Sequence, residues 1–235
     1  MSRMSCGHAG HGHALRAMAP TGVESGVKMN PLRRWPWFVG GIAVLSCVGA
    51  AGVFGFLHQG YSHLRFPLAV LGAAQVRHAT LFNLFAFVLP GAFAACLAIQ
   101  LRRDLPASGW ACRIGAQLLL LAAMAFAAQG VVTLDLRHVD DGSTRYHAVA
   151  WMLWMVSFIC GAVAVAFGTR GHPAWWGYAR FGVAMAALSL VSVFLLGGWI
   201  GQPLAQRMAY AAWLAWVAAT GWRLGCEREG NGQAL

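Results

Sequence analysis

The feature that most constrains this chain is a series of long apolar runs without a single charged side chain. Trp37 to Leu57 form the first run, Ala79 to Leu101 the second, Ile114 to Leu134 the third, Ala148 to Gly168 the fourth and Phe181 to Ile200 the fifth. A helix rises about 1.5 Å per residue, so roughly 20 apolar residues cross the hydrocarbon core of a bilayer. Within that core every backbone N–H and C=O must be paired inside the chain, and an isolated run achieves this only as a helix. Met208 to Trp222 form a shorter sixth run between Arg207 and Arg223. It reaches spanning length by starting at Pro203, a favourable first helical residue, with Arg207 snorkelling outward. The sequence therefore predicts an all-α fold, a polytopic transmembrane bundle of six helices with short loops. Residues 37–224 are the membrane domain, and residues 1–36 and 225–235 are read as disordered cytoplasmic tails.

Composition agrees. The 235 residues are 59% hydrophobic and 10% charged, where a soluble domain carries roughly 25% charged residues. The net charge of +10 is nearly all arginine, Lys28 being the one lysine. These arginines sit in short clusters between apolar runs, which points to anionic headgroups as partners and away from nucleic acid. With the N-terminus inside, the cytoplasmic side holds Lys28, Arg33, Arg34, Arg102, Arg103, Arg113, Arg170, Arg180, Arg223 and Arg228. The outer side then holds Arg65, Arg77, Arg137, Arg145 and Arg207. This bias places both termini in the cytoplasm. Trp35, Trp37, Trp110, Trp175 and Trp176 fall near the inner ends, as interfacial anchors do.

Several function classes are disfavoured. No Asp, Glu, Lys or Arg lies mid-run, as proton and ion pumps require. A retinal protein needs a membrane lysine, and a transmembrane b-type cytochrome needs histidine pairs within helices. The cysteines contain no C-x-x-C pair and no two share the outer face, which argues against disulfide exchange. Asn83, Gln117 and Gln129 are the polar residues within the runs, each expected to bond a neighbouring helix. Gly49, Gly52 and Gly55 read as a packing face of the first helix.

Residues 1–28 differ from the rest. Nothing in them can build a core, and Met29 opens Met-Asn-Pro-Leu-Arg-Arg, a plausible start of its own. They are either a tail or an upstream extension that is not translated. Cys6, His8, His11 and His13 have the soft-ligand chemistry of Zn, Ni or Cu sites, but their spacing matches no closed structural site.

The richer chemistry lies in two outer segments. The first runs from His58 to His78 and contains Arg77 and His78. The second runs from Asp135 to His147 and contains Asp135, His138, Asp140, Asp141, Arg145 and His147. The plain interpretation is a solvated rim of weak surface pairs. The sharper one is a polar site. His78, His147, Asp135, Asp140 and Asp141 are then candidate acid–base groups, while Arg77, His78, Arg145 and His147 are candidate ligand-binding groups. Arg77-His78 precedes the second helix and Arg145-Tyr146-His147 the fourth. The positive ends of both helices would face outward there and suit an anion such as a lipid phosphate. His78 and His147 are expected near one another, with His63 in open solvent.

Gly60-Tyr61-Ser62, Leu71-Gly72, Phe82-Asn83, Pro90-Gly91, Gln129-Gly130-Val131-Val132 and the Asp140-Asp141 to His147 stretch resemble the bacterial membrane proteins of the domain-of-unknown-function 998 family. The resemblance covers about residues 37–224 and departs at Thr133, where the family leads one to expect a Phe-Pro-type turn. It implies six helices in a bacterial inner membrane and no established activity. The expectation is a non-enzymatic or accessory protein that binds a lipid or small anion at its outer face. It would use no cofactor and have membrane lipids as partners, with homo-oligomerisation open. The alternatives are a membrane-embedded hydrolase or lipid-modifying enzyme using the outer His and Asp residues, and an oligomeric transporter.

Overall fold

The computed structural model describes residues 35–106, 109–138 and 142–231. Cys6, His8, His11, His13, Met29, Asp140 and Asp141 lie outside them. Among the described residues there are six long helices and no strand. These are α1 (Trp35–Leu57), α2 (Ala79–Asp104), α3 (Trp110–Val131), α4 (Gly142–Gly168), α5 (Pro173–Ile200) and α6 (Gln202–Asn231). The first five are long and apolar enough to cross a membrane. Successive helices pack against one another, and α6 closes the bundle against both α5 and α1. The starts of α1, α3 and α5 and the ends of α2, α4 and α6 therefore share one end, termed here the terminal end. The opposite, loop-rich end carries the long connection 58–78 and the segment 132–141.

Two boundaries differ from expectation in ways that matter. α4 begins at Gly142, so Arg145, Tyr146 and His147 lie in its first turns and do not precede it. α6 begins at Gln202 and continues to Asn231, well beyond the short apolar run and past residue 224. Its side chains explain why α6 is not among the plainly apolar spans. Ala205, Ala209, Tyr210, Trp213, Trp216, Thr220 and Leu224 are all buried. Tyr210 and Trp213 pack on Phe126 of α3 and Trp154 of α4, and Tyr210 also meets Phe87 of α2. A helix surrounded by protein needs small residues and aromatic rings that fit, not a lipid-facing Leu/Val surface.

Close approach replaces the hydrophobic effect as the source of helix association in lipid. A Cβ on Gly221 of α6 would stand 2.5 Å from the Pro36 carbonyl oxygen of α1, so only glycine permits that contact. Gly49 and Gly52, by contrast, face open space. The packing face of α1 is Pro36, Gly40, Ala43, Cys47, Ala50 and Gly55, so of Gly49, Gly52 and Gly55 only Gly55 lies on it, against the His63 ring. α2 contains a π-helical turn, Leu84–Val88, just ahead of Pro90, whose ring would clash with a carbonyl one turn earlier. Ser46 of α1 donates to the Phe85 carbonyl at 2.6 Å. Of the three intramembrane polar residues, Gln129 accepts from Tyr210 Oη across the bundle at 2.8 Å. Asn83 donates to the connection 58–78 and not to a helix. Gln117 is exposed.

Candidate functional site

The loop-rich end is built by a connection that folds back into the bundle. Gly60, at φ +82°, turns the chain after α1. A 3-10 turn, Leu68–Gly72, follows and buries Leu68, Ala69, Leu71 and Gly72. Asn83 Nδ2 donates to the Gly72 carbonyl at 2.9 Å. The Asn83 side chain fills the space that a Cβ on Gly72 would need. The buried part of the connection must pair its backbone groups, and Asn83 does so for Gly72.

Arg207, which sequence reasoning treated only as a snorkelling residue, holds the first half of this connection. Its guanidinium donates to Tyr61 Oη at 2.5 Å, to the Phe66 carbonyl at 3.1 Å and to the Pro203 carbonyl of its own helix at 2.8 Å. His63 Nδ1 lies 3.4 Å from the same group. His63 is thus engaged by Arg207, although it remains exposed. Partial burial and then the Arg207 charge lower its pKa below the ordinary histidine value.

Gln75 holds the second half. Its amide donates to Asp135 Oδ1 at 2.5 Å and accepts from the Leu136 N–H at 3.2 Å, beside an Ala74 N–H bond to the Leu134 carbonyl at 2.9 Å. The two segments at this end therefore converge. Asp135 also accepts from the Arg137 N–H at 2.8 Å and the His138 N–H at 3.3 Å. These bonds, that from Arg137 foremost, hold its carboxyl below the usual range.

The predicted residues make separate contacts. His147 is buried on α4, with Nδ1 2.9 Å from the Val132 carbonyl. A carbonyl only accepts, so this nitrogen carries the proton. Asp135 is 3.5 Å from the His138 ring. Among the described residues, no hydrogen bond or ion pair joins Asp135 to His78 or His147, or the two histidines to each other. Arg145 is exposed. His78 has left-handed backbone angles, φ 63° and ψ 18°, immediately before α2. There His58, Arg77 and His78 come together with Phe54, Leu57, Leu71 and Val76 around a cavity of about 160 Å3. His58 is the member that the sequence had not singled out as a ligand group. Among the described residues there is no group of three or more His, Cys, Asp and Glu side chains able to hold a metal.

An all-helical bundle with five spans of membrane length, closed by a sixth helix packed among them, defines a multi-pass membrane protein. The chain belongs to a family described as a protein of unknown function (DUF998), which it matches over residues 39–223. No curated protein and no solved structure matches it.

Proposed function

We propose that the protein is a bacterial inner-membrane protein of six spans with both termini cytoplasmic. In this reading it binds the phosphate of a lipid, or a small anion, at its outer, loop-rich face. The observation that carries the proposal is the cavity where Arg77, His78 and His58 meet an apolar wall of Phe54, Leu57, Leu71 and Val76. A cation and two ring N–H donors beside apolar side chains suit a group that is anionic at one end and greasy at the other. The catalytic alternative has less support: Asp135 is engaged by backbone N–H groups and Gln75, so its carboxylate shapes the loop.

Binding of inorganic phosphate and of a short-chain phosphatidic acid to the purified full chain tests this. Arg77→Gln and His78→Ala should each weaken binding by roughly tenfold, the scale of one charge-assisted hydrogen bond. A lipid site responds only to the phosphatidic acid, and a free-anion site to both. Unchanged binding in Arg77→Gln would sink the proposal. A C-terminal fluorescent fusion should glow, while a fusion to a periplasm-dependent reporter should be inactive. The reverse pattern rejects the orientation.

A further inference from the structure

A larger groove, of about 470 Å3, lies at the terminal end between α4 and α5. Ala166 and Arg170 line it from the α4 side, and Trp176, Arg180, Ala184 and Ala187 from α5. Trp176, Arg180, Ala184 and Ala187 recur at helical spacing and so follow one face of α5. From Trp176 to Ala187 that face runs roughly 16 Å at 1.5 Å per residue, about the depth of one leaflet. Arg170 and Trp176 mark its mouth at the terminal end, Arg180 follows one turn along α5, and the small, exposed Ala184 and Ala187 form its floor.

The mouth is held in shape. Trp176 Nε1 donates to the Arg170 carbonyl at 2.9 Å, fixing the ring across the α4–α5 connection. The Arg170 guanidinium lies over the Phe167 ring, 4.6 Å from its centre. A guanidinium stacked on one face keeps its N–H edges available to an acceptor. Among the described residues neither arginine has a carboxylate partner; the ion pair that those residues contain, His138 with Asp135, lies at the loop-rich end.

We infer that this groove is a binding site for an anionic phospholipid. Arg170 and Arg180 take the headgroup phosphate, Trp176 sits at the interface, and an acyl chain lies along Ala184 and Ala187. Charge complementarity selects the occupant. A net-negative lipid gains two guanidinium partners, whereas the ammonium of a zwitterionic lipid would be placed beside two like charges with no described carboxylate to receive it. The site is independent of the cavity at the opposite end.

Native mass spectrometry of the full chain, taken from vesicles of equal phosphatidylglycerol and phosphatidylcholine, tests the inference. The wild type should retain phosphatidylglycerol several-fold over phosphatidylcholine. Arg170→Gln with Arg180→Gln should lower that retention by roughly tenfold or more, as loss of two charge-assisted bonds implies. Arg170→Lys with Arg180→Lys should keep most of it. Ala184→Phe, which fills the floor and leaves both charges, should also lower it. Arg65→Gln with Arg137→Gln removes the same net charge from the other end and should change little. Equal retention of the two lipids, indifference to the Arg170/Arg180 glutamine pair, or full retention in Ala184→Phe overturns the inference. So does a lipid-free dimer that Ala184→Phe dissociates, because a second copy would then occupy the groove.

Discussion

Apart from the cavity of His58, Arg77 and His78, the two ends of the bundle use polar residues in opposite ways. At the loop-rich end the long connection 58–78 enters the bundle, and Arg207, Gln75, Asn83 and Asp135 are largely occupied in pairing its backbone and side chains. At the terminal end the connections after α2 and α4 are short, and Arg170 and Arg180 line an apolar groove. Arg223 is the structural arginine there, lying over Trp175 and donating to the Ala174 carbonyl at 3.2 Å. Density of polar residues in the sequence is therefore a poor guide to a ligand site. What a polar group already bonds decides whether it has capacity left for a ligand.

The strongest way to break this contrast is Arg207→Ala. It strips partners from Tyr61 and the Phe66 carbonyl and should cost on the order of 3 kcal/mol, the scale of charged hydrogen bonds lost from a partly buried group. Thermal unfolding in detergent and protease nicking within 58–78 would both register it; an unchanged midpoint would show that the connection is held by packing alone. Gly72→Ala should destabilise by about 2 kcal/mol, since a Cβ there meets the Asn83 side chain in a filled space. Gly171→Ala at the terminal end, where nothing lies within 4 Å, should leave the midpoint unmoved. Equal effects at the two glycines would erase the contrast. Asn83→Ala leaves the Gly72 carbonyl unpaired and should cost roughly 1 kcal/mol by the same melting assay.

The smallest effect concerns pH. The folded pKa of His63 is lowered, so the unfolded chain binds more protons just below pH 6.5 and stability falls as pH drops through that window. The Asp135 carboxyl is also lowered. Its contribution is present above the ordinary carboxylate range and is lost only on stronger acidification. Acid should therefore loosen the loop-rich end in two steps, read as amide exchange in 58–78 and 132–138. His63→Asn should remove the first step. A single step common to both ends would contradict the assignment.

The candidate residues of the loop-rich end were partly legible in the sequence. Arg77 and His78 stood out because a cation and an imidazole directly precede an apolar run of spanning length. The partners of Asp135 and His147 did not. Gln75 lies 60 residues from Asp135 along the chain, and Arg207 146 residues from Tyr61. No local pattern marks a pairing at that separation. The groove of Arg170 and Arg180 was invisible for the same reason, since it exists only where α4 and α5 pack.

The sequence by itself determined the helical class, the five apolar spans and the family, because backbone polar groups in hydrocarbon admit few conformations and charge-free runs announce them. The role of α6 was decided only in the tertiary structure. Tyr210, Trp213 and Trp216 read as a short, weak span until Phe87, Phe126, Trp154 and Phe158 surround them. Their fit depends on side-chain shape and close approach between distant segments, which hydropathy along the chain does not record.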